Sequence, residues 1–214
     1  MVWIVRKVAR HSPVNVDCTM ARCKMHDSRW RALTKGTSGM NAAFLTCGPQ
    51  EATPQEKSKF VGLVNSREAV AERFVRAGIE RQGAKMVFAF FGENLAGVSA
   101  LKMPLNSYRM SIGGAAKSGF RLPLNRFPFE LGYVAVAAAY ERKGLGRQLV
   151  AQAVALSGGS GLFATTSNPA MFEKILPQFG FYAVGKAWAS DRKPESGKAA
   201  ELHLLVRDPV VKSA

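Results

Sequence analysis

The stretch from Leu131 to Val150, LGYVAVAAAYERKGLGRQLV, constrains the fold more than any other, because strand, turn and helix requirements follow one another inside it. Tyr133, Val134 and Val136 favour a buried strand, and the alanines after them leave so little bulk that a ligand can lie close to the backbone. Glu141-Arg-Lys-Gly-Leu-Gly-Arg147 then supplies two glycines, which reach dihedrals closed to other residues. Leu145, Leu149, Ala153 and Leu156 continue at helical spacing. A helix opening on such a turn presents unpaired N–H groups and the positive end of its dipole, suited to a phosphate or pyrophosphate. Arg142, Lys143 and Arg147 would add charge there. A Gly-x-Gly turn alone is also compatible with a plain strand-to-helix connection that holds no ligand.

The rest of the chain narrows the alternatives. Its 214 residues, 47% of them hydrophobic, suffice for one domain with a proper core. No apolar run is long enough to span a bilayer, so a soluble protein without a membrane partner is expected. Three cysteines, Cys18, Cys23 and Cys47, are too few and too clustered for a disulfide framework, which suits a reducing compartment and predicts a cytoplasmic location. The formal charge of +15 favours polyanionic partners such as RNA, acidic substrates or a phosphorylated cofactor, without choosing among them.

Residues 1–39 differ from the remainder. They carry eight Lys and Arg against Asp17 and Asp27, without a sustained period, and read as a disordered or loosely packed basic arm. Two other readings stay open: translation that begins at Met40, and an Arg-rich targeting peptide. His11, Cys18, Cys23 and His26 match no compact zinc module, so no metal is expected. Residues 40–214 form the predicted domain.

Within it, Met40 to Thr46 predicts a first strand. Ser66 is expected to cap a helix with the stripe Val70, Ala71, Phe74, Val75 and Ile79, stopped by Gly83. Lys85–Phe91 and Leu95–Lys102 read as a hairpin. Met103 to Pro128 reads as a long irregular segment holding Arg109, Lys117, Arg121 and Arg126; no acid occurs between Glu93 and Glu130. With Tyr108 and Phe120 among these cations, it is either a lid or wall that recognises a phosphate-bearing or nucleic-acid substrate, or a solvated insertion. Glu130 opens the central strand, where its carboxylate could take a proton from an ammonium beside Phe127, Phe129 and Leu131, or simply be a solvated strand-edge residue. Leu162–Ser167 predicts a short strand, Asn168-Pro169 a helix start, Phe181–Ser190 a strand, residues 191–198 a polar connection, and Glu201–Arg207 the closing strand, with His203 on its surface.

Glu141 to Arg147 resembles motif A of the GNAT acyl-CoA N-acyltransferases, whose Gln/Arg-x-x-Gly-x-Gly/Ala pattern holds the pyrophosphate of coenzyme A. Gly144 and Gly146 occupy both glycine positions, while Glu141 stands where Gln or Arg is usual. Residues 162–181, with Asn168 opening a helix and the Gly180-Phe181 pair closing it, are similar to motif B of the same family. The likeness spans about Phe60 to Asp208. It implies an α/β fold: a mixed, mainly antiparallel sheet flanked by helices, with acetyl-CoA in a splay between the central strands. The resemblance further implies cofactor contacts from Val134, Ala135, Val136, Arg142, Lys143, Gly144, Leu145, Gly146, Arg147 and Asn168, and a base at Glu130. The tyrosine that many members place before Gly-Phe to protonate the thiolate is replaced here by Ile175, Leu176 and Pro177, and Tyr182 lies just past the pair.

The expected activity is acetyl transfer from acetyl-CoA to a primary amine by direct attack, with the acceptor open among a small polar amine, a protein N-terminus or lysine, and an aminoacyl-tRNA. The alternative is a non-catalytic nucleic-acid-binding protein on the same fold, motivated by the charge, by Glu141 and by the missing tyrosine.

Overall fold

The computed structural model describes residues 42–67, 70–191 and 200–210. The basic arm, its four candidate zinc ligands and Met40 lie outside the described residues. Seven strands form one sheet in the order β1-β2-β3-β4-β5-β7-β6. They are β1 (Ala43–Cys47), β2 (Lys85–Phe91), β3 (Asn94–Lys102), β4 (Phe129–Val136), β5 (Leu162–Thr166), β6 (Tyr182–Ala189) and β7 (Glu201–Arg207). Every neighbouring pair is antiparallel except β4 with β5.

Helices α1 (Pro54–Asn65), α2 (Glu72–Ile79), α3 (Asn106–Gly113) and α4 (Leu145–Leu156) flank this sheet. Helix α1 was not expected. Thr53 and Glu56 form a reciprocal capping box at its start, worth about 1 kcal/mol, and Pro54 sits in the first turn. Phe60, Val61 and Val64 form its buried face, with Phe60 edge-on to Phe88 and Tyr133. Ser66, expected to begin a helix, instead ends α1: its N–H donates to Gly62 O and its hydroxyl to Leu63 O. Helix α2 starts after Ala71, and Gly83 lies in the turn beyond it, with φ +83°. On the opposite face, Leu145 and Leu149 of α4 pack on Val87, Ala89 and Ala96.

The segment 103–128 is neither irregular throughout nor a charged lid. It contains α3, and three of its four cations are committed. Arg109 is 3% exposed and donates to Phe127 O and Pro128 O, each at 2.5 Å, with its guanidinium 5.2 Å from the Phe163 ring centroid. Lys117 pairs with Asp191 at 2.8 Å and Arg126 with Asp208 at 2.8 Å. The segment is therefore clamped onto β5, β6 and β7, and it sets the position at which the chain enters β4. Arg109→Met is expected to lower unfolding stability by about 3 kcal/mol, because it strands two carbonyls that accept from a charged donor. Urea denaturation would measure this, and a loss below about 0.5 kcal/mol would mean that water replaces the guanidinium.

Candidate active site

β4 and β5 pair only at Phe129↔Leu162 and Glu130↔Phe163 and then diverge. Beyond Glu130, the β5-facing edge of β4 has no strand partner, so alternate backbone N–H and C=O groups of Leu131–Val136 face an opening. The divergence coincides with a bulge. β3 pairs Ala100 with Gly132 and Val98 with Ala135, so both Tyr133 and Val134 lie opposite Ser99. Tyr133 takes up the extra residue with φ +55°, a conformation uncommon for a non-glycine residue. Its ring packs against the α1 side of the sheet and its hydroxyl donates to Phe74 O at 2.9 Å.

Glu130 stands where the two strands part, 3% exposed. Its surroundings are polar rather than the apolar wall expected from sequence, because Phe129 and Leu131 alternate onto the opposite face and pack with the α4 core. Lys102, its register partner on β3, places Nζ 2.8 Å from Glu130 Oε1 and 4.5 Å from the Tyr133 ring centroid. The Tyr108 hydroxyl lies 3.3 Å from the same oxygen, and the Thr165 hydroxyl 3.4 Å. Tyr108 is partly exposed, while its hydroxyl is within hydrogen-bond reach of Glu130 and Thr165. Burial, and then the charge of Glu130, push both the Tyr108 and the Tyr133 hydroxyl well above the ordinary tyrosine pKa, so both stay protonated at neutral pH. The cluster thus holds one carboxylate, one ammonium, two neutral phenols and a threonine hydroxyl.

The other end of the opening is the start of α4. Gly144 is its N-cap with φ +76°, a left-handed conformation that glycine enters without penalty. The first intrahelical bond runs from Gln148 N–H to Gly144 O, so the N–H groups of Leu145, Gly146 and Arg147 have no acceptor within the helix. The Leu145 side chain is buried, leaving its backbone to any ligand. Gly146 opens a cradle: an added Cβ would lie 3.8 Å from Ile175 Cδ1 and 3.9 Å from Val136 Cγ2. These features suit a phosphate or pyrophosphate group, and the free edge of β4 suits an extended chain that pairs with its backbone.

The remaining residues named from sequence divide by position. Val134 and Val136 are half-buried toward α4, whereas Ala135 is buried in the α1-side core, so only its backbone is free for a ligand. Arg142 and Lys143 are exposed on the turn, with Lys143 Nζ donating to Ala139 O. Arg147 is also exposed and donates to Gln178 Oε1 at 2.7 Å. Asn168 Oδ1 accepts from the N–H groups of Ala170 and Met171, capping a π-helical turn (Ala170–Ile175) that runs into a 3-10 turn (Leu176–Phe179). Tyr182 lies outside the cleft on the edge strand β6, its hydroxyl bound to Asp208 at 2.9 Å. His203 stacks on Phe172, with ring centroids 4.2 Å apart.

Sequence reasoning missed Lys102, Thr165 and Arg67, and placed Tyr108 in a lid. Nothing local marks them, since they meet Glu130 or Glu141 across 22 or more residues. Arg67 explains how an anion is accommodated beside a phosphate cradle. Its guanidinium pairs with Glu141 at 2.5 Å and also donates to Val136 O, so Glu141 is neutralised in place. Arg67→Ala is expected to weaken acetyl-CoA binding by up to about fivefold, the scale of one half-exposed ion pair. In calorimetry the double change with Glu141→Gln should restore the wild-type Kd.

No protein-family model matches this sequence, and no curated protein matches it significantly. Solved structures do match. A histone acetyltransferase HPA2 and related acetyltransferase from Corynebacterium glutamicum superposes with a TM-score of 0.57 at 17% identity over 82% of this chain and 100% of its own. Salmonella typhimurium yncA, solved with acetyl-CoA as its cofactor, gives 0.56 at 16% identity over 81% and 97%. The ribosomal-protein-S18-alanine N-acetyltransferase of Escherichia coli gives 0.56 at 12% identity over 79% and 96%. The open mixed sheet of seven strands flanked by helices matches these proteins: the chain has the fold of the GNAT acetyltransferases.

Proposed function

We propose that the protein transfers an acetyl group from acetyl-CoA to a primary amine. One observation carries the reading: the free edge of β4 runs from a buried carboxylate at Glu130, where the strands part, toward the glycine-opened N-terminus of α4. Acetyl-CoA supplies the activated thioester. The N–H groups of Leu145, Gly146 and Arg147 hold its phosphates, with Arg142, Lys143 and Arg147 around them. Backbone N–H groups of the Val134–Val136 stretch donate to the developing oxyanion. Glu130 binds the acceptor ammonium and takes its proton, and the hydroxyls of Tyr108 and Thr165 orient the carboxylate. Asn168 acts by holding the chain around the cleft, since its side-chain oxygen is spent on Ala170 and Met171.

The acceptor class is a primary amine, whether on a small molecule, a protein or an aminoacyl-tRNA. A nucleic-acid-binding role is less well supported, because Glu141, one of its motives, is paired with Arg67, and Arg109, Lys117 and Arg126 of the basic segment 103–128 are buried or ion-paired. Among the described residues no helix is long and apolar enough to cross a membrane. Calorimetric titration of acetyl-CoA into the full chain tests the reading. Micromolar, one-to-one binding is expected, and no heat at millimolar cofactor would overturn it.

A further inference from the structure

We propose that Lys102 is itself an acyl acceptor, so that the protein acetylates its own β3–β4 ion pair. The inference rests on the acetyltransferase reading and goes beyond it. The Lys102 amine already has the surroundings that an acceptor amine needs. Glu130 Oε1 lies 2.8 Å from Nζ, and the Tyr133 ring centroid 4.5 Å from it. A carboxylate at hydrogen-bond distance together with an aromatic face is an ammonium site, and here the chain fills it with its own ammonium. The backbone is shaped for it. Lys102 lies across Gly132, where an added Cβ would stand 2.7 Å from Lys102 Cε and 3.0 Å from Nζ, so no other residue type at position 132 leaves the side chain in place. Gly132 is the residue next to the β4 bulge, on the stretch where β4 has left β5. The amine is thus held over the part of β4 that faces the cleft. Its side chain is 15% exposed, so little water competes for it.

The chemistry balances without a further reactant. The Lys102 ammonium gives a proton to Glu130, its lone pair forms a bond to the thioester carbonyl carbon, and the carbon–sulfur bond breaks. The sulfur leaves with the electron pair and is protonated to the thiol by the second proton that the nitrogen sheds as the amide forms, and the proton held on Glu130 passes to solvent. The products are Nε-acetyl-Lys102 and free coenzyme A. Because the amine is tethered beside the base, the step gains the advantage of an intramolecular reaction. Acetylation removes the charge, so the ion pair to Glu130 and the cation–π contact to Tyr133 are both lost. Glu130 then keeps only its hydroxyl partners and is open to an external ammonium.

The test uses the purified full-length chain, acetyl-CoA with an isotopically labelled acetyl group, and peptide mass spectrometry, with acetyl-CoA binding measured by calorimetry on the same samples. Lys174 and Lys186 are exposed and report chemical background. Lys102 is expected to gain the label about 100-fold faster than these two, and Glu130→Gln to remove that advantage while leaving the Kd for acetyl-CoA unchanged. The unchanged Kd shows that the variant is folded. Lys102→Arg should show no label at position 102 and the same background elsewhere. Cofactor binding with Lys102 labelled no faster than Lys174 would overturn the inference and leave the acetyltransferase reading standing. Equal labelling of Lys102 in the wild type and in Glu130→Gln would also overturn it, since the reaction would then be chemical. No cofactor binding would overturn both.

Discussion

Gly146→Asp is expected to weaken acetyl-CoA binding at least about 100-fold while leaving the protein as stable as the parent or slightly more so. The two effects have one cause. Position 146 lies in the first turn of α4, where a carboxylate interacts favourably with the helix dipole by about 0.3–1 kcal/mol. The new Cβ meets Ile175 and Val136 only at ordinary contact distances, so packing does not oppose it. The same carboxylate projects into the cradle between β4 and the π-helical turn, where the pyrophosphate is proposed to bind. Two like charges about 4 Å apart at a partly screened surface repel by about 4 kcal/mol, well beyond the 2.7 kcal/mol that a 100-fold loss requires. Gly144 is the poorer choice for this test, because its φ of +76° would mix backbone strain with the electrostatic effect. Gly146→Asn, nearly isosteric and neutral, should retain most of the affinity. Calorimetry gives the Kd values and thermal unfolding the stability. Undiminished binding by a folded Gly146→Asp protein would place the phosphates elsewhere.

How far the sequence discloses such a site depends on how local each part is. The strand, turn and helix from Phe129 to Leu156 were legible because each announces itself within a few residues: the β-branched and aromatic run, the two glycines, the leucine stripe. Helix α1 carries an equally local signal in Thr53-Pro-Gln-Glu56, but its apolar residues are confined to the second half and residues 55–59 are polar, which hides the period. Helix α3 is hidden differently. One of its two buried residues is Arg109, so a cation stands where periodicity looks for an apolar residue. Glu130 was legible only as a carboxylate on a strand. That its neighbours are Lys102, Tyr108 and Thr165 follows from sheet order and packing, since β3 and β5 flank β4 and α3 packs through Ile112 on residues of β5, β6 and β7. The β4 bulge likewise leaves no signal in the sequence, because Tyr133 is an ordinary strand residue that β3 pairing alone shows to be the extra one. Glu141 was visible as an anomaly, and its resolution by Arg67 was not, because 74 residues separate them.

Glu130→Gln is expected to lower acetyl transfer to an external amine by about 10²–10⁴-fold, the usual contribution of a positioned base, with the Kd for acetyl-CoA unaltered. A panel of amino acids, polyamines, and peptides with free N-termini or lysines would supply the acceptor. Glutamine keeps an oxygen for the hydroxyls of Tyr108 and Thr165 and for the Lys102 ammonium, so the cluster retains its shape while losing the group that takes a proton. A role confined to structure predicts something else: the loss would appear in unfolding stability, because Lys102 would lie half-buried without its counter-charge, and transfer by the folded fraction would be normal. The pH profile separates the two. A base acting on an ammonium gives a wild-type rate that rises with pH, and without that base the reaction must wait for free amine. The Glu130→Gln rate should therefore climb toward the acceptor's own pKa, with the deficit largest near neutrality and shrinking in alkali. A deficit constant across pH, in a variant whose cofactor affinity and stability match the parent, would assign Glu130 to orientation of the acceptor ammonium rather than to removal of its proton.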